Sequence, residues 1–296
     1  MKKAITTFAF LLFGILAVSA QKEFQGLAVY ESKTSTSEMS KRMDGNKEMT
    51  PELKKMIEQR MKNMFEKTFV LNFDRSSSIY KEEEKLEAPG TGGNMRMMSS
   101  MMGGGGTYYK NVKEKVYSVD KEFMGKEFLI KDALPTLEWK MESETRQIGG
   151  YTCYKATAVK PVDASDFRNM RAKDEAKVED SKDEKKTEKP QSTNFMDGFE
   201  IPKEVIITAW YTPEIPVNQG PEGYWGLPGL ILEVNDGKTI ILCSKVVMNA
   251  KEKVEIKAPN KGKEVTQKEY DEIVTAKMKE MQEMRRSGNG GMRFGR

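Results

Sequence analysis

The 296-residue chain contains no histidine. That absence removes Ser-His-Asp and Cys-His catalysis, along with zinc or haem held by imidazole. An enzyme built from this chain would need carboxylates, a Ser-Lys pair or tyrosine, and no local spacing points to one. Cysteine is scarce as well, with only Cys153 and Cys243. In an oxidising compartment such a pair either forms a disulfide or stays as two buried thiols. Both residues sit in strand-like runs, Tyr151–Val159 and Thr239–Val247. If those strands are neighbours, closing the long loop between them stabilises by roughly 4–5 kcal/mol on chain-entropy grounds. Strong net charge is missing too. Lys and Arg total 49 against 45 Asp and Glu, a balance of +4 with no basic patch of the kind nucleic acid requires. No cofactor motif stands out.

Long apolar runs are absent except at the start. Lys2 and Lys3 precede an apolar stretch from Ile5 to Val18, and Val18-Ser19-Ala20 has the small residues a signal peptidase needs. The stretch is too short and too N-terminal for a stable spanning helix. The expectation is cleavage after Ala20, an exported and periplasmic chain, and no transmembrane segment after cleavage. Residue 21 is Gln, so a bacterial lipid anchor is not expected. Removing the two lysines of the leader changes the balance to 4 − 2 = +2.

What the chain does contain is strand patterning. Phe24–Thr34 alternates with period two, as do Phe69, Leu71 and Phe73. Ser76–Glu83, Thr107–Lys110, Lys115–Val119 and Phe123–Lys131 read as shorter runs. Leu137–Arg146 and Tyr151–Pro161 flank Gly149-Gly150, and Leu230–Val234 and Lys238–Met248 flank Asn235-Asp236-Gly237, both hairpin signals. Val205–Tyr211 is a further strand. One helix begins at Thr50 and Pro51, a cap followed by a residue whose missing N–H would be unpaired there anyway. Its face of Leu53, Met56, Ile57, Met61, Met64 and Phe65 is expected to cover a sheet. A second helix begins at the capping box Thr266 and Glu269, with Tyr270, Ile273, Val274, Met278 and Met281 on one face.

The expected fold is mostly β: a large curved antiparallel sheet of about eight to eleven strands, half-barrel-like, with one covering helix near the N-terminus and a C-terminal helix. The expected organisation is a signal peptide over 1–20, one β-rich domain over 21–258, and a helical extension and tail over 259–296. Within the domain, 90–106 is a Gly/Met loop. Residues 163–194 are a mixed-charge run too poor in apolar residues to offset its ordering entropy, expected to be a disordered insert.

Three constellations invite chemistry. Met95, Met97, Met98, Met101 and Met102 cluster in the Gly/Met loop, and thioethers are soft ligands suited to Cu(I). A low-complexity loop or an adaptable contact surface explains the same residues. Glu214, Glu222 and Glu233 lie in or beside an aromatic segment, as an acid and base pair at a sugar site would. The segment itself, 209–233, holds two Trp, two Tyr and four Pro among glycines. Thr212-Pro213 and Ile215-Pro216 stop a strand, since proline cannot donate to the ladder. Leu227-Pro228-Gly229-Leu230 reads as a type II turn with positive φ at Gly229. Trp210, Tyr211, Tyr224, Trp225 and Pro228 either pack a folding corner or line the lip of a pocket.

Those residues also carry a resemblance. Gly226, Leu227, Pro228, Gly229, Leu230 and Ile231 spell the motif that names the GLPGLI family of Bacteroidetes exported proteins. The lead-in Ala209-Trp210-Tyr211-Thr212-Pro213-Glu214-Ile215-Pro216 and the run Ile148-Gly149-Gly150-Tyr151-Thr152-Cys153-Tyr154-Lys155-Ala156 resemble the family's flanking segments. The resemblance implies a domain from about Glu23 to Glu255. It implies no activity, since none is established for the family. A curved sheet with a covering helix is also similar to periplasmic lipoprotein carriers, which hold acyl chains in the concave face. The expected function is therefore non-enzymatic binding of an apolar ligand or an envelope protein, with soft-metal handling as the alternative.

Overall fold

The structure is a computed structural model that describes residues 24–37, 40, 50–83, 105–166, 168, 171–172, 199–250 and 254–286. The expected signal peptide at 1–20, most of the segment expected as a Gly/Met loop with Met95, Met97, Met98, Met101 and Met102, most of the expected charged insert and the residues from Ser287 lie outside the described residues.

Twelve strands form one open, curved, mixed sheet. In chain order they are β1 (Gln25–Thr34), β2 (Glu66–Asp74), β3 (Ser77–Glu82), β4 (Thr107–Asn111), β5 (Val116–Phe123), β6 (Lys126–Ala133), β7 (Lys140–Ile148), β8 (Tyr151–Pro161), β11 (Glu204–Thr212), β12 (Leu230–Asn235), β13 (Thr239–Met248) and β14 (Lys263–Val265). β9 (Arg171–Ala172) and β10 (Phe199–Glu200) make a separate two-stranded pair. The order across the main sheet is β14-β6-β5-β4-β3-β2-β1-β13-β12-β11-β8-β7. β1 lies inside the sheet, antiparallel to β2 on one side and to β13 on the other. All pairings in the main sheet are antiparallel except that of β14, which runs parallel to β6 through Lys263↔Phe128 and Val265↔Ile130. That strand lies inside the segment expected as a helical extension.

Local chemistry accounts for the hairpins. Gly149 and Gly150 both have positive φ (56° and 86°), the requirement of a two-residue primed turn, and Ile148 pairs with Tyr151 across them. At the β12–β13 turn, Asp236 Oδ1 accepts from the N–H groups of Lys238 (2.9 Å) and Thr239 (2.6 Å), and Asn235 Oδ1 accepts from Gly237 N (2.7 Å). Met124 and Gly125, φ 51° and 74°, make a further two-residue turn between β5 and β6, so β5 runs on to Phe123.

Helix α1 (Pro51–Phe65) starts at Thr50, whose hydroxyl accepts from Leu53 N at 3.3 Å, and runs without a loop into β2. Of its apolar face only Met61 and Phe65 are buried; Leu53 and Met56 stay exposed. The helix docks by its C-terminal half, because its direct junction with β2 anchors that end to the sheet. Helix α2 (Gln267–Arg286) has the expected capping box: Thr266 N donates to Glu269 Oε2 at 2.7 Å, and Glu269 N donates to Thr266 Oγ1 at 3.2 Å. Among the described residues, no helix is long and apolar enough to cross a membrane.

The apolar interior falls into two clusters. The larger holds Tyr30, Leu71, Phe73, Ile207, Leu227, Leu230 and Ile231, and the smaller packs β5, β6 and α2 through Val119, Phe128, Ile130, Tyr270 and Val274. The segment between β11 and β12 joins them: Tyr224 belongs to the first cluster and Trp225 to the second. Trp225 Nε1 donates to Pro135 O (2.7 Å), and Trp139 Nε1 donates to Trp225 O (2.9 Å).

The turn at Pro228 is not type II. Gly229 is not among the positive-φ residues; Gly226 is, at 94°. Gly229 N donates instead to Leu227 O at 2.8 Å, a three-residue turn centred on Pro228, whose fixed φ suits that geometry. Gly229 is required for a different reason. A Cβ there would lie 2.1 Å from Thr212 O and 2.8 Å from Pro213 N, both backbone atoms.

Candidate functional site

Three strands carry a period-two series that ends in lysine. Tyr108 is followed by Lys110 in β4, Tyr117 and Val119 by Lys121 in β5, and Ala156 and Ala158 by Lys160 in β8. Alternation places each lysine on the same face as the residues before it. In a flat sheet β5 and β8, eight places apart, would be separated by roughly 38 Å at about 4.8 Å per strand. Here Lys121 and Lys160 line the same cavity, which shows how strongly the sheet curls.

That cavity has a volume of about 580 Å³. Its apolar wall comes from Met64 and Phe65 at the end of α1, with Phe69, Tyr80, Tyr108, Tyr117, Val119 and Leu137. Phe69 and Tyr80 stack at 4.7 Å, and Tyr108 and Tyr117 stack at 5.3 Å. The polar wall comes from Lys121, Lys160, Asp163, Asp166, Arg168, Glu222 and the Tyr224 ring. Arg168 is clamped between two carboxylates. Its Nε and Nη2 donate to Asp166 at 3.0 Å each, and its Nη1 donates to Glu222 at 2.6 Å. Burial pushes both acids up, but the guanidinium overcomes it, and both carboxyls are held below the usual carboxylate range.

Lys110 lies behind this wall and is completely buried. Its ammonium donates to the carbonyls of Gly220, Glu222 (2.7 Å) and Tyr224 (3.2 Å), so all three N–H groups are matched. Burial lowers it to about 7, against the pull of Glu222. Lys110 fixes the loop that presents Glu222 and Tyr224.

Lys121 and Lys160 are arranged differently. Lys121 Nζ lies 5.3 Å from the centre of the Tyr270 ring, and Lys160 Nζ lies 5.1 Å from that of Tyr224. Burial lowers Lys121, opposed by Asp166, Asp163 and Glu222. Lys160 is shifted up, by Tyr224 first and then by Glu222, Asp166 and Asp163. Burial raises the Asp163 carboxyl, against Lys160 and Lys121.

The residues singled out from the sequence are scattered by comparison. Of Trp210, Tyr211, Tyr224, Trp225 and Pro228, only Tyr224 lines the cavity. Trp210 is buried under the Arg146 guanidinium (4.3 Å), Tyr211 packs on Tyr154, Trp225 fills the smaller core, and Pro228 is exposed. The three glutamates do not converge. Glu214 accepts from Thr152 N (2.8 Å), Glu233 pairs with Arg146, and only Glu222 reaches the cavity. Cys153 and Cys243 are free, buried thiols, and β12 and β11 separate their strands, so the adjacency a disulfide depends on is missing. The five methionines lie outside the described residues. Asp163, Asp166 and Arg168, at the head of the segment expected to be a disordered insert, form part of the cavity wall.

Residues 139–233, from the start of β7 into β12, match the family model described as a protein of unknown function (Porph_ging). The Gly226–Ile231 motif and Glu222 fall inside that match; Lys110 and Lys121 fall before it. No curated protein matches the chain. Among solved structures the chain is similar to PNGF-II in two crystal forms, P21 and C2. Identity is 14% in both, with TM-scores of 0.45 and 0.42, and 85% of this chain is covered. The chain spans about a third of the length of those structures, 33% and 32%.

Proposed function

We propose that this chain is an exported, periplasmic, non-enzymatic binding protein of the GLPGLI family that takes an apolar ligand into the curled sheet. The observation that carries the reading is the cavity of about 580 Å³ with its wall of stacked aromatic and aliphatic side chains. Its volume lies within the range of about 300–1,000 Å³ usual for small-molecule sites. A protein that needed this face only as core would fill it, since interiors pack with few voids larger than a water molecule. Export rests on the leader at 1–20, and the family rests on the motif at Gly226–Ile231.

The test is native mass spectrometry and organic extraction of the protein purified from its own host. Co-purification of an apolar small molecule, lost on replacing Phe69 and Leu137 by Asp, is the expected result. Recovery of a ligand-free protein that also fails to take up a long-chain alcohol after delipidation refutes the reading.

A further inference from the structure

The polar end of the cavity holds hydrogen-bond donors with nothing to donate to. Tyr80 is buried at 3% exposure and lines the cavity, yet its hydroxyl has no partner. Among the described residues, the hydroxyls of Tyr108 and Tyr224 make no hydrogen bond, and the ammonium groups of Lys121 and Lys160 have neither a hydrogen bond nor a carboxylate within 4.0 Å. Elsewhere in the same wall the fold matches its polar groups closely, as Lys110 and Arg168 show. Buried donors are ordinarily satisfied, so a cluster of unmatched ones at the end of a cavity marks the place of a missing acceptor.

We infer that the ligand is a single-chain amphiphile with a monoanionic carboxylate head, a long-chain fatty acid in chemical class, whose head is received by Lys121 and Lys160. This rests on the apolar-ligand reading above. The aromatic wall takes the chain, and the lysines, with the Tyr80, Tyr108 and Tyr224 hydroxyls, face the head. Charge count selects a monoanion. Lys67, Lys121, Lys160 and Arg168 supply four positive charges, and Asp132, Asp163, Asp166 and Glu222 supply four negative ones; Lys67 is itself paired with Glu82. Arg168 is already held by two of those acids, so Lys121 and Lys160 have only Asp163 and distant charges for compensation. One added negative charge at the lysines is compensated by direct contact; a dianion would place a second against the acids.

The experiment is equilibrium dialysis of delipidated full-length mature protein with palmitate, hexadecanol and hexadecyl phosphate. Palmitate is expected to bind roughly tenfold or more tightly than hexadecanol, the scale of a charge-assisted hydrogen-bond pair. The double substitution Lys121→Met and Lys160→Met should remove that advantage, so that palmitate binds no more tightly than hexadecanol, with hexadecanol still bound. Lys121→Arg with Lys160→Arg, which keeps both charges, should retain most of it, so a folding defect in the methionine variant cannot imitate the result. Equal binding of palmitate and hexadecanol, or an unchanged advantage in the methionine variant, overturns the head-group assignment while the apolar-ligand reading stands. Preference for hexadecyl phosphate over palmitate overturns the monoanion. Binding of none of the three overturns both readings.

Discussion

Replacing Gly229 with alanine tests whether close approach, rather than turn geometry, is what this position requires. The added Cβ would sit 2.1 Å from Thr212 O and 2.5 Å from Thr212 C. Neither is the flexible end of a side chain. Thr212 is the last residue of β11, paired with Leu230, and Leu230 N also donates to Ile215 O at 3.0 Å. Relieving an overlap of more than 1 Å (estimated against ordinary carbon–oxygen contact) must move backbone on one side. Overpacking alone costs about 1–3 kcal/mol. Loosening the two backbone hydrogen bonds adds about 1 kcal/mol each, so the total is about 3–5 kcal/mol. Gly149→Ala is the control. Its Cβ would meet nothing within 4 Å, and its φ of 56° leaves only left-handed strain of about 1–2 kcal/mol. Urea denaturation followed by tryptophan fluorescence measures both. The reasoning fails if Gly229→Ala lies within about 1 kcal/mol of wild type, a small part of a typical 5–15 kcal/mol stability, or if Gly149→Ala is the more damaging change.

Three other outcomes are expected. Lys110 has a folded value of about 7 against 10.5 unfolded, so the unfolded chain holds the extra proton between those limits and wild-type stability rises with pH across that window. From pH 7 to 9 the rise is at most about 3 kcal/mol, two units at about 1.4 each, and urea midpoints should show it in wild type but not in Lys110→Met. Arg168→Met leaves Asp166 and Glu222 buried without their cation and should cost about 3–5 kcal/mol at pH 7. Both acids have depressed folded values, so their contribution is present above about pH 4 and lost on acidification below it, and acid titration of the wild type and the variant should converge. Burial pushes both the Cys153 and Cys243 thiols up to about 11, so native protein at pH 8 should resist iodoacetamide that modifies the urea-unfolded chain fully. Rapid alkylation of the native protein would contradict that burial.

The elements readable from sequence are those whose cause is local. Thr50 and Pro51 cap α1, Thr266 and Glu269 box α2, and Gly149-Gly150 close a hairpin, because each depends on residues within a few positions. Strand order depends on distant partners, so nothing near β1 announces β13, and nothing near Lys263 announces a parallel place beside β6. Gly229 was misread for a related reason. Pro-Gly is a local turn signature, but the atom that excludes a side chain belongs to Thr212, across a long loop. The site was half legible. Glu222 and Tyr224 were named from the aromatic segment, whereas Lys121 and Lys160 were missed, although an inward lysine at the end of an apolar alternation breaks the pattern and is a signal that could have found them. That they meet in one cavity follows only from the curl of the sheet. Asp163, Asp166 and Arg168 were hidden by the composition of the charged run they begin.

The central place of β1 also sets a timetable for assembly. Thr34 hydrogen-bonds to Thr239, 205 positions later, and the Tyr30 hydroxyl reaches the carbonyl of Ile231. At about 5–20 residues per second of synthesis, roughly 10–40 s separate the appearance of β1 from that of β13. During that interval strands β1 to β6 can pair with one another in succession, but β1 keeps one open edge. Such an edge is a template for pairing with other chains. The C-terminal strands must therefore find a waiting, half-built sheet, and a chaperone that shields that edge until β13 arrives would raise the yield of folded protein more than one acting on the finished molecule.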